Sequence, residues 1–97
     1  METIEDMRRI DAIASEVATA NLGSQSIQSV QSSQTLDSRG RDALQIVITL
    51  TPGSSLNVTG KSASTTIFEL NKKLQEAGEE RFPIVRWVEW STAHGKP

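Results

Sequence analysis

The residues with the most evident chemistry lie in a glycine-containing segment that ends in lysine and serine. Gly53 follows an alternating apolar run, and Gly60, Lys61 and Ser62 precede a helical pattern. A strand, a glycine loop and a helix in this order bind phosphate when backbone amides surround the anion and the lysine neutralises it. Six residues separate the two glycines, which is too many for that loop. We therefore expect a capped helix start here, with no bound nucleotide or other cofactor.

The remaining candidates for catalysis or metal binding are isolated in the sequence. His94 is the only histidine and stands in an aperiodic tail, where a catalytic dyad or triad would lack rigid support. Asp37 and Asp42 flank a turn with two arginines between them, which favours turn chemistry over a calcium loop. The chain has no cysteine, so disulfides, thiolate metal sites and cysteine nucleophiles are excluded. We expect no catalytic residue and no metal ligand, and hence no enzyme.

The composition is that of one small domain with a slight excess of acidic residues. The chain has 97 residues and a net charge of −2, without the basic footprint that phosphate-dominated nucleic-acid binding usually leaves. The acidic start lacks the apolar core of a signal peptide, and the longest apolar run, Leu44 to Leu50, is too short to cross a membrane. We expect a soluble, cytoplasmic protein without membrane contact, with a single domain over residues 1–90 and a flexible tail over residues 91–97.

Two segments show the three- and four-residue spacing of apolar side chains that is typical of amphipathic helices. The first helix is expected to begin at a loose capping box formed by Thr3 and Asp6 and to stop at Gly23. The second is expected to be capped by one of the hydroxyls within Ser62–Thr66 and to end at Gly78. The predicted helices cover residues 3–20 and 64–78.

Three further segments have the features of strands. The apolar residues from Leu44 to Leu50 alternate strictly, and Pro83 opens a run rich in β-branched and aromatic residues. The segment before the first of these is rich in serine and glutamine, and we interpret it as a polar hairpin partner. Its apolar residues Ile27 and Val30 are three apart, so both can face the core only through a β-bulge. The predicted strands cover residues 26–35, 43–51 and 83–90.

The order α-β-β-α-β predicts an α+β fold, a two-layer sandwich with two helices packed on one face of a small three-stranded mixed sheet. A right-handed crossover through the second helix places the third strand parallel to the second. The opposite face of the sheet would then be bare. This bare face is the main functional consequence of the predicted topology.

The topology resembles that of KH-type RNA-binding modules, and Ile48 to Gly53 resembles the strand-to-loop passage of small iron–sulfur cluster carrier domains. A KH module holds nucleic acid with a G-x-x-G loop between two helices, for which the glycines here are too far apart. The carriers place a cysteine where this chain has Ser54 and Ser55. The second resemblance covers a short stretch and implies at most a shared fold.

Trp87 and Trp90 lie three apart in the third strand, so their side chains are expected on opposite faces. Because the helices cover only one face, one tryptophan should be outside. If Val85 and Trp87 meet the helices, Arg86 lies beside Trp90 on the open side; the reverse arrangement is also open, as is a tryptophan that lies across the domain's own edge. Tryptophan and arginine are enriched at binding hot spots. The predicted partner-binding residues are Trp87, Trp90, Arg86 and Val47.

These features favour a small non-catalytic domain that binds another protein through the open sheet face or an edge strand, as regulators, inhibitors and antitoxin-like partners do. The partner would be a protein encoded nearby, or a second copy in a homodimer. The alternative is a single-stranded nucleic-acid-binding module of KH-like topology, with bases stacked on Trp87 or Trp90. Its phosphate contacts would come from Arg86, Arg81 and Lys61. The charge balance makes nucleic acid the less favoured partner.

Overall fold

A three-stranded mixed sheet carries two helices on one face in residues 7–90, the part of the chain that the structure, a computed structural model, describes. The helices and strands are α1 (Met7–Leu22), β1 (Ile27–Leu36), β2 (Asp42–Leu50), α2 (Gly60–Glu76) and β3 (Phe82–Glu89), with short 3-10 turns at Ser24–Ser26 and Ser54–Asn57. This order confirms the predicted α-β-β-α-β arrangement and its α+β class. The predicted capping box at Thr3 and Asp6, and the tail with His94, lie outside the described residues.

Strand β2 is the centre of the sheet. It pairs antiparallel with β1 through the hairpin and parallel with β3 through the α2 crossover. The register between β1 and β2 shifts between Ile27 and Ser29, which confirms the predicted bulge. The extra residue brings both Ile27 and Val30 to the side of the core, although they are three apart in sequence.

The core lies between the helices and one face of the sheet. Leu44, Ile46, Ile48 and Leu50 of β2 are all buried, as strict alternation requires for a strand with one covered face. Each helix covers them with a stripe of small and branched apolar residues. These residues are Ile10, Ala14, Val17 and Ala18 in α1 and Leu70 and Leu74 in α2. Among residues 7–90, no helix is both long enough and apolar enough to span a membrane.

Helix α2 begins at Gly60, four residues before the predicted start at residue 64. The predicted cap within Ser62–Thr66 is wrong because Thr59 caps the helix instead. The Thr59 side chain accepts a hydrogen bond from the Ser62 amide at 3.0 Å, and the Thr59 amide donates to the Ser62 hydroxyl at 2.9 Å. This reciprocal capping box satisfies two backbone donors and extends the helix by a full turn.

Helix α2 ends as the sequence predicts, at a glycine with a left-handed backbone. Gly78 has a φ of 95°, which carries little steric penalty in a residue without a Cβ atom. The Glu79 amide then donates to the Leu74 carbonyl at 2.8 Å and the Gly78 amide to the Gln75 carbonyl at 3.0 Å. This Schellman-type pattern turns the chain toward β3.

A buried ion pair holds the passage from α2 into β3. The Glu79 side chain is fully buried, and Arg81 is only 7% exposed. The guanidinium donates two hydrogen bonds to the carboxylate, at 2.8 and 2.9 Å, and the Arg81 backbone amide donates a third at 2.7 Å. The hydrogen bonds with Glu79 raise the pKa of Arg81. The pair fixes the point at which β3 enters the sheet.

Candidate functional site: the open face of the sheet

The open face is the side of the sheet that the helices do not cover. Its members follow from strand alternation and register, since residues that pair across strands point to the same side. In β1 they are Ser29, Gln31, Ser33 and Thr35, in β2 Ala43, Gln45, Val47 and Thr49, and in β3 Phe82, Ile84, Arg86 and Val88. Trp90 continues the alternation of β3, because its amide donates to the Leu50 carbonyl at 2.7 Å. The face therefore changes from polar along β1 to apolar along β3.

The apolar half of the open face is exposed. Phe82 is 60% exposed, and Ile84 and Trp90 are each 37% exposed. Within residues 7–90 there are six exposed large apolar side chains, and three of them belong to this single row. Single apolar residues scattered over a protein surface are common, whereas a cluster along one strand is typical of an interaction surface.

Arg86 is the only charged residue among the open-face positions of the three strands. It lies between Ile84 and Val88 in β3 and pairs in register with Val47 of β2. Among the described residues it takes part in no ion pair. An arginine presents five donors in a planar fork that suits carboxylate and phosphate groups. The face thus offers one cation surrounded by apolar side chains.

Three of the four predicted partner-binding residues share this face, and the fourth does not. Val47, Arg86 and Trp90 lie together on the open side, as one of the two predicted arrangements requires. Trp87 faces the helices instead, where it is half-buried and packs against the core together with Val85. Trp87 therefore cannot contact the same surface as Arg86, because adjacent strand residues point to opposite sides.

Acidic side chains lie in the hairpin between β1 and β2, next to one end of the open face, and Asp37 is paired with a cation there. Asp37 forms an ion pair with Arg41 at 3.0 Å and accepts hydrogen bonds from the amides of Arg39 and Arg41. These bonds, that of the Arg41 amide first, lower the pKa of Asp37. The predicted turn chemistry of Asp37 is confirmed. Asp42 is the other carboxylate that the sequence assigns to this turn. Its charge contributes to raising the pKa of Arg81.

The opposite end of β3 is tied to the turn after β2, a contact that the sequence does not reveal. The Glu89 carboxylate accepts hydrogen bonds from the hydroxyl and from the amide of Ser55, the latter at 3.2 Å. These bonds, with one from the Gly53 amide, lower the pKa of Glu89, and the Ser55 hydroxyl has the largest effect. The contact fixes the turn Ser54–Asn57 beside the end of β3. It also leaves Leu56 at the tip of that turn 88% exposed.

The cations expected to contact nucleic acid do not form one surface. Arg81 is buried against Glu79, so its predicted phosphate contact is wrong. Lys61 belongs to the first turn of α2, in the helix layer, whereas Arg86 points from the opposite side of the sheet. The hydroxyl and amide of Ser62 are used in the capping box, so the glycine segment is organised as a helix start.

No group of three or more histidine, cysteine, aspartate or glutamate side chains within residues 7–90 is arranged to hold a metal ion. Comparisons of the chain with protein-family models, with curated proteins and with solved structures find no match.

Proposed function

We propose that this chain is a small, non-catalytic protein-interaction domain that binds a partner protein through the apolar half of its open sheet face. The observation that carries the proposal is the row of Phe82, Ile84 and Trp90, exposed on either side of Arg86. Large aromatic and aliphatic side chains provide apolar area that a partner can bury, and a central arginine provides directional hydrogen bonds that orient the partner. The partner surface that fits is apolar, with a carboxylate placed to meet Arg86.

A different protein fits this face better than a second copy of the chain. The open-face positions of the three strands carry no acidic residue that could pair with Arg86 in a facing copy. Near the hairpin end, Asp37 is already paired with Arg41 at 3.0 Å. Pairing two such faces would remove two unpaired cations from water, which is costly without a counter-charge.

A single-stranded nucleic acid is the competing ligand, because Trp90 and Arg86 could stack on a base and contact a phosphate. One exposed cation on the face gives little of the electrostatic attraction on which such binding depends. Nucleic-acid binding would weaken steeply with salt, whereas binding to a mainly apolar protein surface would change little.

The test begins with capture of binding partners by the immobilised chain from extract of its source, with and without nuclease treatment, followed by purification of the captured protein. Calorimetry then compares the wild type with Trp90→Ala and with Lys72→Ala, an exposed change in the helix layer. We expect Trp90→Ala to cost about 2–4 kcal/mol of binding, as loss of an interface anchor does. Lys72→Ala should bind like the wild type.

A matched change at Trp87 separates binding from stability. Because Trp87 packs against the core, Trp87→Ala should lower the free energy of unfolding by about 3 kcal/mol, near the low end for truncated core aromatics. Trp90→Ala should remain folded. Equal affinity of the partner for wild type and Trp90→Ala would contradict the proposal, as would retention of nucleic acid alone.

A further inference from the structure

The two edges of the sheet differ in which backbone groups they expose. In an antiparallel pair, alternate residues direct their N–H and C=O groups toward the partner strand. The Asp37 amide donates a hydrogen bond across the hairpin to the Arg41 carbonyl at 2.9 Å. The odd-numbered residues of β1 that follow the bulge therefore direct their backbone N–H and C=O groups toward β2. Even-numbered residues, Ser32 among them, direct their backbone groups outward.

The outer edge of β1 is blocked by α1. The outward amide of Ser32 donates to the Asp11 carboxylate at 2.7 Å, and the Ser32 hydroxyl binds the same carboxylate. That hydroxyl also reaches the Met7 carbonyl at 3.4 Å. When a helix covers an edge strand and its charged side chain binds an outward amide of that strand, another strand cannot pair there. This edge is closed at its middle.

Within residues 7–90, no side chain binds the outward backbone groups of β3 in this way. The hydrogen bond from the Trp90 amide to the Leu50 carbonyl shows that the even-numbered residues of β3 direct their backbone N–H and C=O groups toward β2. Val85 and Trp87 therefore direct their N–H and C=O groups outward, where the described residues provide no hydrogen-bond partner for them. Pro83, which has no N–H, and Glu89, which holds Ser55, bound this free edge on either side.

We propose that the free edge of β3 binds an extended segment of the partner protein as an added antiparallel strand, with an acidic residue opposite Arg86 and apolar residues two positions away on each side. This inference rests on the proposed function, since it specifies how the partner meets the face. Val85 and Trp87 would form the new backbone hydrogen bonds. The apolar residues of the segment would extend the rows of Ile84 and Val88 across the open face.

The acidic residue follows from geometry and charge. Arg86 directs its own backbone groups toward β2, so the residue opposite it in an added antiparallel strand occupies a non-hydrogen-bonded position, where facing side chains approach most closely. A second copy of β3 cannot supply the carboxylate. Its only acidic residue, Glu89, points to the helix side, whereas residues opposite Arg86 point to the open face. A segment of another protein is therefore the occupant.

The probe is the peptide acetyl-Lys-Thr-Val-Thr-Glu-Thr-Val-Thr-Lys-amide, and its control has lysine in place of the central glutamate. Each is titrated into isotope-labelled wild type and into Arg86→Glu, and binding is followed by NMR. We expect the wild type to bind the glutamate peptide at least about ten-fold tighter than the lysine peptide, and Arg86→Glu to invert that preference. In the complex, hydrogen exchange at the Val85 and Trp87 amides should slow at least about ten-fold, because both become hydrogen-bonded.

Absence of binding, equal affinity for both peptides, or unchanged exchange at Val85 and Trp87 would overturn strand addition. The same exchange measurement on the captured partner separates this inference from the proposed function. If that partner requires Trp90 but leaves both amides unprotected, the open face is the binding surface and strand addition is wrong. If the peptides behave as expected but no partner requires Trp90, the proposed role of the face is wrong instead.

Discussion

Removing one member of the buried ion pair between Glu79 and Arg81 should destabilise the fold strongly. Glu79→Ala deletes a fully buried carboxylate that accepts three hydrogen bonds from Arg81, and it leaves the guanidinium without this counter-charge. Loss of one partner of a buried pair typically costs about 3–5 kcal/mol. A domain of this length has only about 5–15 kcal/mol of stability, so the loss would be a large fraction of the total.

Urea denaturation followed by circular dichroism measures this loss for Glu79→Ala, Arg81→Ala and the double variant. Because the two side chains contact each other, we expect the double variant to lose less than the sum of the single losses, by about 1–3 kcal/mol. A loss below about 1 kcal/mol in Glu79→Ala, or additive losses, would show that this pair does not hold the entry into β3.

The remaining predictions concern the two faces of the sheet, the turn beside β3 and the glycine segment. Ile48→Ala, at a fully buried position, should cost about 2–5 kcal/mol of unfolding free energy, whereas Val47→Ala on the open face should cost less than about 1 kcal/mol; equal losses would mean that the faces are misassigned. The folded-state pKa of Glu89 is lowered by Ser55, so its contribution to stability is present above the ordinary glutamate pKa of about 4.3 and is lost as pH falls through the folded value. The loss on acidification should therefore be smaller in Ser55→Ala, and identical pH profiles would contradict this contact. Calorimetry with ATP or GTP and magnesium should detect no saturable binding at about 100 μM, and binding that Lys61→Ala abolishes would revive a nucleotide-binding function.

The elements and their order could be predicted because each has a periodic apolar pattern. The alternation from Leu44 to Leu50 identifies a strand with one buried face, and the three-residue separation of Ile27 and Val30 predicts the bulge that the register contains. Helix α2 was predicted to start too late because its cap uses Ser62 at the position where a capping box usually has glutamate or glutamine. A serine there does not stand out among the neighbouring hydroxyl residues.

Contacts between distant parts of the chain could not be predicted from the sequence. Helical periodicity places Asp11 among polar residues of α1, and only the fold brings its carboxylate to the Ser32 amide at the edge of β1. The bonds from Ser55 to Glu89 likewise join residues 34 positions apart. For the candidate site, strand alternation alone predicts that Trp87 and Trp90 point to opposite faces of the sheet. Only the packing in the fold shows that Trp87 is the one that faces the core. The location of Arg86 on the open side then followed.

The most direct test of the central claim is a methyl-group NMR map of the chain with its purified partner. Residues next to one another in β2 point to opposite faces, so each methyl signal reports one side of the sheet. We expect that signals of Val47, Ile84 and Val88 shift or broaden on addition of the partner, while those of Ile46 and Ile48 change little. Changes confined to Ile46, Ile48 and the helix methyl groups would contradict the proposal that the open face is the binding surface.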